Sequence, residues 1–299
     1  MVKSNLEVIK EGIIISSFDS EIVLNLQSLS TIEASEFEIH FSKDEIKPTT
    51  KTEYTAAFKT FHKAVTTDEF SKIVLSKIKE VTTDKSALTL FESICDAYPD
   101  TFNYIFSSEE YGCWIGATPE LLCNIENLQL KTVSLAGTKL PIEEWTSKEL
   151  EEQAFVTDYI KAALEANGLS EIQINGPKTV SAGKIEHLKS EIYAKLTFDL
   201  NWQSILNSLH PTPAVCGIPT NTSKAFILKN ESHSREFYTG FIGIIDVNVN
   251  CFVNLRCMQL QEKKAYLYLG GGLLKASTEE KEWDETERKA QTLERFLNY

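Results

Sequence analysis

Apolar and polar residues alternate in short runs over most of the chain, and this alternation is typical of half-buried β-strands. The first 45 residues contain three such runs, which predict strands at 12–18, 21–26 and 37–41. Further apolar or alternating runs predict strands at 71–81, 103–106, 113–118, 121–126, 128–137, 222–230, 235–247, 251–260 and 264–271. A polar stretch around Pro48 predicts the connection that follows the first strands.

Helical spacing of apolar residues predicts four α-helices, at 53–66, at 87–98, from about 147 to 168, and at the C-terminus. Thr146 and Glu149 fit a capping box at the start of the third helix, and Gly168 fits its end. Ser277 and Glu280 fit a capping box for the last helix. Because the strands come in runs and do not alternate regularly with helices, we predict a layered α+β architecture.

The composition is that of an ordinary globular protein with an acidic surface. Of 299 residues, 42% are hydrophobic and 24% are charged, and the formal net charge is −13. This charge argues against a nucleic-acid partner, which requires a basic face, and weakly against an anionic membrane surface. If the substrate is a small anion, local cations must overcome the repulsion.

The cysteines and the N-terminus indicate a reducing compartment. The six cysteines form no C-x-x-C pair and lie in apolar contexts, as buried thiols do. The N-terminal segment MVKSNLEVIKEG lacks the apolar core of a signal peptide, and no run approaches the ~18 apolar residues of a membrane span. We therefore expect a cytoplasmic protein.

The acidic C-terminal helix directs some of its carboxylates toward the core. At about 100° per residue, Glu282, Glu285 and Lys289 flank the apolar stripe of this helix. Asp284 and Glu287 fall on the opposite face and are predicted to be solvated.

Glu152 lies in the middle of the apolar face of the helix at 147–168. A buried carboxylate needs a cation, a metal or a proton, although a glutamate in the first turns of a helix can still reach solvent. Glu152, Glu282 and Glu285 together would suit Mg²⁺, which prefers hard oxygen ligands.

Eight segments occur along the chain in this order: SKIVLSK, IGATPELL, SLAGTKLP, KELEEQAFVTDYI, LHPTPAVCGIP, ILKNESHSREFYTGFIG, VNLRCMQL and YLGGGLLKASTEEKEWDETERKAQ. Together they resemble the chorismate-utilising enzymes, which include the isochorismate, anthranilate, aminodeoxychorismate and salicylate synthases. The resemblance runs from about Tyr54 to the C-terminus. LHPTPAV looks like isochorismate synthase, and Lys72 points the same way because the water-using members have a lysine there.

The resemblance implies a single chorismate-binding domain over 1–299, with two stacked, mostly antiparallel sheets flanked by helices. Residues 1–50 would be abbreviated N-terminal strands and 54–299 the catalytic core, since family members are commonly longer at the N-terminus. The implied activity is the Mg²⁺-dependent conversion of chorismate to isochorismate, as in menaquinone or siderophore biosynthesis. The alternatives are a salicylate synthase, which also eliminates pyruvate, and a non-catalytic chorismate-binding paralogue.

Lys72 and Glu120 match the family's catalytic base and acid. Water adds at C2 of chorismate as the C4 hydroxyl leaves, so a base must act on the water and an acid on the leaving oxygen. The pKa of Lys72 would have to fall from ~10.4 through burial or a nearby cation. The pKa of Glu120, in TPELL, would have to rise from ~4.3 in an apolar pocket.

Glu152 and Glu285 match the family's Mg²⁺ ligands, with Glu282 close by, directly or through water. The metal would bind the ring carboxylate of chorismate. Arg256 and Lys289 match cations that hold the substrate's carboxylates.

Other matched positions line or support the implied site. Close approach of the backbone is implied at Gly137, Thr138, Gly270 and Gly271. Arg235 and Tyr238 look like supporting residues. His210, in LHPTPAV, is either a contact to the hydroxyl side of the substrate or a structural residue.

Two positions depart from the family pattern. Lys77 and Lys139 stand where arginine is usual, which keeps the charge but loses the bidentate geometry. No amidotransferase-type motif set accompanies the matched segments. We therefore expect a monomer that binds chorismate and has no amidotransferase subunit.

Overall fold

The structure is a computed structural model that describes residues 2–27, 33–182, 185–197 and 201–298. The strands in these ranges are β1 (Val2–Lys3), β2 (Gly12–Ser16), β3 (Val23–Leu26), β4 (Lys72–Thr82), β5 (Phe102–Ser108), β6 (Gly112–Thr118), β7 (Leu121–Glu126), β8 (Gln129–Lys139), β9 (Gln173–Ala182), β10 (Ile185–Lys195), β11 (Gly217–Ile218), β12 (Phe241–Ile245), β13 (Val249–Val253), β14 (Cys257–Gln261) and β15 (Lys264–Leu273). The α-helices are α1 (Lys51–Thr66), α2 (Ala87–Ala97), α3 (Ser147–Ala166), α4 (Trp202–Leu209), α5 (Thr220–Asn230) and α6 (Glu279–Glu294). None of these helices combines the length and the apolar character needed to span a bilayer.

Capping side chains determine where two of the predicted helices begin. The backbone N–H of Glu53 donates to the Thr50 hydroxyl (3.2 Å), and the Glu53 carboxylate accepts from the Thr50 N–H (2.8 Å), which closes a capping box before α1. Thr146 and Glu149 form the predicted capping box before α3. Gly168 follows α3 at φ +81°, a conformation that glycine adopts without strain.

The predicted capping box of the last helix is wrong. Thr278, not Ser277, immediately precedes α6. The Ser277 hydroxyl instead accepts from the backbone N–H of Leu274 (3.0 Å), inside the turn that leads into the helix. The sequence pattern could not separate these two hydroxyl residues because they are adjacent.

The strands form two sheets. The nine-stranded sheet has the order β1-β3-β2-β12-β13-β7-β8-β10-β9, and the six-stranded sheet has the order β11-β4-β15-β14-β6-β5. Every strand pair described is antiparallel. The predicted α+β fold with two antiparallel sheets is confirmed.

Three of the four apolar clusters in the described residues divide the molecule into layers. One cluster packs α3 and α4 against the outer face of the nine-stranded sheet and includes the buried Val156 and Ile160. A second packs α2 and α6 against the six-stranded sheet. Between the sheets lies a cluster rich in aromatic residues, including Trp114 and Phe237, which pack edge to face. The sheets are therefore stacked, with helices on both outer sides.

The predicted strand at 222–230 is wrong, since these residues lie in α5. Buried Thr220, Ser223 and Ile227 recur at helical spacing on one face of α5. Leu228, which made the run appear continuously apolar, is 52% exposed. Four adjacent apolar residues do not separate a strand from a partly buried helix.

The predicted strand at 37–41 is also wrong. This segment runs beside β5, but the N–H of His40 donates to the side-chain hydroxyl of Ser107 (2.8 Å), so no backbone ladder forms here. The predicted strand at 251–260 is divided into β13 and β14 by Asn254–Arg256, where the chain passes from one sheet to the other. β1, β9, β10, β11 and α4 were not predicted.

Candidate active site

A cavity lies between the two sheets, where the chain crosses from one to the other. Pro119 and Glu120 connect β6 to β7 at one crossing, and Leu255 and Arg256 connect β13 to β14 at the other. The cavity encloses about 1020 Å³, its open mouth included. The predicted site residues that line it are Lys72, Glu120, Gly137, Glu152, Tyr238, Arg256, Gly270, Gly271, Glu285 and Lys289.

Lys72 begins β4 and points into the cavity. Lys72 and Val74 alternate with Ile73 and Leu75, so the first pair faces the cavity and the second packs in an apolar cluster. The Lys72 side chain is 1% exposed, and its Nζ donates to Oε1 of Glu152 at 2.7 Å. The Glu152 side chain is 15% exposed, so the predicted inward orientation is confirmed and the cation beside it is Lys72.

Glu120 is a buried carboxyl group with a raised pKa. It is 5% exposed, and burial raises its pKa from 4.5 to about 7 because the charged form loses its hydration. The positive charges of Lys72, Lys289 and Arg256 oppose this rise. A proton is therefore available on Glu120 near neutral pH, as its predicted role as an acid requires.

α6 brings a carboxylate and an ammonium to the cavity one helical turn apart. Nζ of Lys289 lies 2.8 Å from Oε1 of Glu285 and donates to the carbonyl of Gly270 at 2.9 Å. Glu282, one turn earlier, is 2% exposed. The predicted orientation of these three residues toward the core is confirmed.

The glycine run at 270–272 leaves room for these side chains. A Cβ at Gly271 would lie 3.2 Å from Oε2 of Glu282 and 3.8 Å from Oε1 of Glu285. A Cβ at Gly272 would lie 2.6 Å from Cε of Lys72 and 3.3 Å from Oε1 of Glu152. Side chains on β15 would therefore displace the charged groups.

The three predicted metal ligands surround this glycine run but are not gathered into one cluster. In the residues that the structure describes, no three His, Cys, Asp or Glu side chains are close enough to hold a metal ion. Glu152 and Glu285 are instead paired with lysines. Three carboxylates beside a space that a Cβ would fill nevertheless suit a hard divalent cation.

Arg256 and Tyr238 complete the wall of the cavity. Burial lowers the pKa of Arg256, and its guanidinium donates to the hydroxyl of Thr292. Tyr238 is buried, and its hydroxyl would lie 2.9 Å from a Cβ at Gly270.

Arg235 supports the site without lining it. Its guanidinium donates to both carboxylate oxygens of Glu231, at 2.8 and 2.7 Å, and to the carbonyls of Val215 and Val74, both at 2.8 Å. Val74 and Val215 line the cavity themselves. The predicted supporting role of Arg235 agrees with these bonds, whereas a direct substrate contact does not.

His210 also lies outside the cavity lining. It is 7% exposed, its Nε2 lies 3.2 Å from the carbonyl oxygen of Phe18, and its ring packs edge to face on Phe241. Burial lowers its pKa to about 4. Of the two roles considered for His210, these contacts favour the structural one.

The cavity wall also contains His187 and Glu149, which were not predicted as site residues. His187 on β10 is buried, with Nδ1 2.9 Å from the carbonyl oxygen of Gly137, and burial lowers its pKa to about 4. Glu149, the capping residue of α3, also lines the cavity. No element was predicted at 185–195, so nothing in the sequence pattern placed His187 in the cavity wall. The side chain of Thr138 lies outside the part of the chain described.

Glu287 is not the solvated residue that was predicted. Its two carboxylate oxygens accept from Nζ of Lys77 (2.5 Å) and of Lys79 (2.7 Å) on β4. Lys77 is 1% exposed, and its Nζ lies 3.2 Å from the centroid of the Trp283 ring. Glu287 therefore fastens α6 to β4. Asp284 is exposed, as predicted.

We expect Glu287→Gln to lower the free energy of unfolding by about 1–3 kcal/mol, because it leaves the ammonium of Lys77 buried without its carboxylate. Asp284→Asn, at an exposed position of the same helix, should change it by no more than about 0.5 kcal/mol. Urea unfolding of both variants measures the difference. Equal stabilities would show that the Lys77–Glu287 pair does not stabilise the fold.

Known proteins resemble this chain in sequence and in fold. It is 28% identical over 244 residues to isochorismate synthase EntC of Escherichia coli (strain K12), which covers 76% of this chain and 62% of that protein. It is 31% identical over 252 residues to isochorismate synthase DhbC of Bacillus subtilis (strain 168), which covers 76% and 63%. The chain thus spans less than two thirds of the length of these curated relatives.

The fold comparison covers more of the chain. The crystal structure of DhbC from Bacillus anthracis matches with a TM-score of 0.81 at 25% identity, over 95% of this chain and 83% of that one. The family profile described as "Chorismate binding enzyme" matches residues 8–298. This range includes both sheets' central strands and every side chain described in the cavity. The chain therefore belongs to the chorismate-binding enzyme family.

Proposed function

We propose that the chain is an isochorismate synthase, an isomerase that converts chorismate to isochorismate. The observation that carries this proposal is the presence of buried Lys72 and of Glu120, with its raised pKa, in the wall of one cavity. The relatives EntC and DhbC are named isochorismate synthases, which supports the same reaction.

The reaction requires two proton transfers in opposite directions. Lys72 takes a proton from the water that attacks C2, and Glu120 gives a proton to the C4 oxygen, which leaves as water. One water enters and one leaves, so the product is an isomer of the substrate. Lys72 donates to Glu152 in this structure, so its nitrogen becomes available as a base only after this pair opens and the ammonium loses a proton.

Cations in the wall fit a dianionic substrate. Arg256 and Lys289 carry positive charge into the cavity of a protein whose formal net charge is −13. The guanidinium of Arg256 offers a planar fork to a carboxylate, and Lys289 offers a point charge. We assign both residues to the substrate's carboxylates.

Mg²⁺ belongs to the proposal as the resident cofactor. Glu152 and Glu285 would hold it, with Glu282 close by, because their oxygens border the same two glycines. When bound, the ion would neutralise the ring carboxylate of chorismate. Glycine at 271 and 272 keeps side chains of β15 away from these carboxylates.

A product assay tests the function and the metal together. Purified protein is incubated with chorismate and MgCl₂, with and without excess EDTA, and the products are followed by NMR. We expect isochorismate to form in the presence of Mg²⁺. With EDTA, its rate of formation should be at least about a hundredfold lower, since one positioned charge contributes on the order of that factor to a rate. No isochorismate in either arm would contradict the proposal.

Two further readouts separate the alternatives. Pyruvate release, followed with coupled lactate dehydrogenase, would indicate a salicylate synthase. Thermal stabilisation by chorismate without any product would indicate a non-catalytic binding protein. Isochorismate as the end product with no pyruvate is the result we expect.

A further inference from the structure

Two lysines of the cavity are paired with the two carboxylates assigned to the metal. Nζ of Lys72 lies 2.7 Å from Oε1 of Glu152, and Nζ of Lys289 lies 2.8 Å from Oε1 of Glu285. The Lys72–Glu152 pair joins β4 to α3, and the Lys289–Glu285 pair joins residues one turn apart on α6. One oxygen of Glu152 and one oxygen of Glu285 are therefore already bonded to an ammonium.

Both ammonium groups lie beside the glycine run that borders the proposed metal position. A Cβ at Gly272 would lie 3.3 Å from both Nζ of Lys72 and Oε1 of Glu152. Lys289 donates to the carbonyl of Gly270, two residues away on β15. All four side chains are mostly shielded from water, with exposed fractions of 1%, 15%, 20% and 21%. Screening by solvent is therefore weak, and each charge acts strongly on its neighbour.

A metal ion and an ammonium compete for the same carboxylate oxygen. A divalent cation on Oε1 of Glu152 and Oε1 of Glu285 would lie within a few ångströms of both ammonium groups, where like charges repel strongly. We therefore expect the lysines to move when a metal binds. The substrate carboxylate and the attacking water are the partners that the proposed reaction offers them.

We propose that Lys289 and Lys72 are internal counter-ions that neutralise Glu285 and Glu152 in the metal-free protein, and that metal binding releases them to substrate and water. The inference rests on the proposed function for the identity of the metal and the substrate. It makes the two lysines determinants of metal affinity as well as parts of the site. Because coupling between two ligands is reciprocal, chorismate and metal should favour each other's binding.

Metal affinity without substrate tests the inference directly. MgCl₂ is titrated into the whole protein by isothermal calorimetry, for the wild type, Lys289→Met and Lys72→Met. Removing a positive charge a few ångströms from the ion should tighten binding by on the order of tenfold to a hundredfold. Lys289→Arg keeps the charge and should bind within about threefold of the wild type.

Lys281→Met is the matched control, because Lys281 is an exposed lysine on the same helix. It changes the net charge by the same amount and should leave the affinity within about twofold, since exposed charges are screened by salt. Circular dichroism and thermal unfolding check that each variant is folded. If Lys289→Met fails to fold, Lys72→Met tests the inference alone.

If folded Lys289→Met and Lys72→Met bind Mg²⁺ no more tightly than the wild type, the inference is overturned. The proposed reaction is unaffected by that result. The absence of Mg²⁺ binding in every protein overturns both the inference and the metal dependence of the proposed function. Isochorismate formation by the wild type is measured separately. The two failures are therefore distinguishable.

Discussion

Lys72→Ala should lower the kcat for isochorismate formation by about 10²- to 10⁴-fold, the range that a positioned general base contributes. The KM for chorismate should change much less, because Lys72 acts on water in the proposed reaction. Steady-state kinetics by NMR or chromatography measure both constants. The variant also leaves Glu152 buried without its ammonium, so its folding is checked by circular dichroism.

Lys264→Ala is the control for Lys72→Ala. Lys264 is an exposed lysine on β15, paired at 3.0 Å with Glu80, and its loss should leave kcat within about twofold of the wild type. An unchanged kcat in folded Lys72→Ala would rule out this lysine as the base. Lys72→Arg should not restore the rate, because arginine stays protonated.

Glu120→Gln should be much less active than the wild type and yet more stable at high pH. Glutamine cannot supply the proton for the leaving oxygen, so we expect kcat to fall by about 10²- to 10⁴-fold. In the wild type, kcat/KM should fall as pH rises above about 7, because Glu120 then loses its proton. A pH–rate profile that is flat from pH 6 to 9 would contradict this assignment.

The stability effect of Glu120→Gln follows from linkage. The folded-state pKa of Glu120, about 7, is above its unfolded value of 4.5, so the folded state binds the proton more tightly. The resulting stability is fully present below pH 4.5 and is lost as pH rises to about 7. The shift corresponds to about 3 kcal/mol at most.

Urea unfolding of the wild type and of Glu120→Gln at pH 5 and pH 8 measures this effect. Relative to the wild type, the variant should gain stability between the two pH values, since glutamine carries no charge to bury. Leu121→Ala would serve poorly as a control because it removes apolar surface. Glu126→Gln, at the exposed end of β7, is the better match, and it should show no such gain. If the free energy of unfolding depends on pH identically in Glu120→Gln and the wild type, Glu120 does not have a raised pKa.

Much of the candidate active site could be predicted from helical angles and from the family resemblance. The orientation of Glu152, Glu282, Glu285 and Lys289 toward the core depends only on residue spacing along α3 and α6, and it is confirmed. The burial of Glu120 was expected from its assigned role and agrees with a pKa of about 7. Local geometry is sufficient here because a regular helix fixes the direction of each side chain.

Other positions depended on partners that are distant in sequence. Glu287 faces away from the apolar stripe of α6, yet it is partly buried by Lys77 and Lys79, which are some 210 residues earlier. Residues 222–230 form a helix although their apolar run also suits a strand. In each case the deciding contact comes from another element, so spacing within the segment carries no signal of it.

The sequence alone specifies most strands and helices, the layered α+β class and the inward side chains of α3 and α6. These features depend on apolar, capping and glycine residues that lie only a few positions apart. The partners of the charged groups are set only when the sheets stack. Packing brings the start of β4 within side-chain reach of α3 and places β15 against α6, and in this low-dielectric space each ammonium pairs with a nearby carboxylate. The tertiary structure therefore decides that Lys72 pairs with Glu152 and that Lys77 pairs with Glu287.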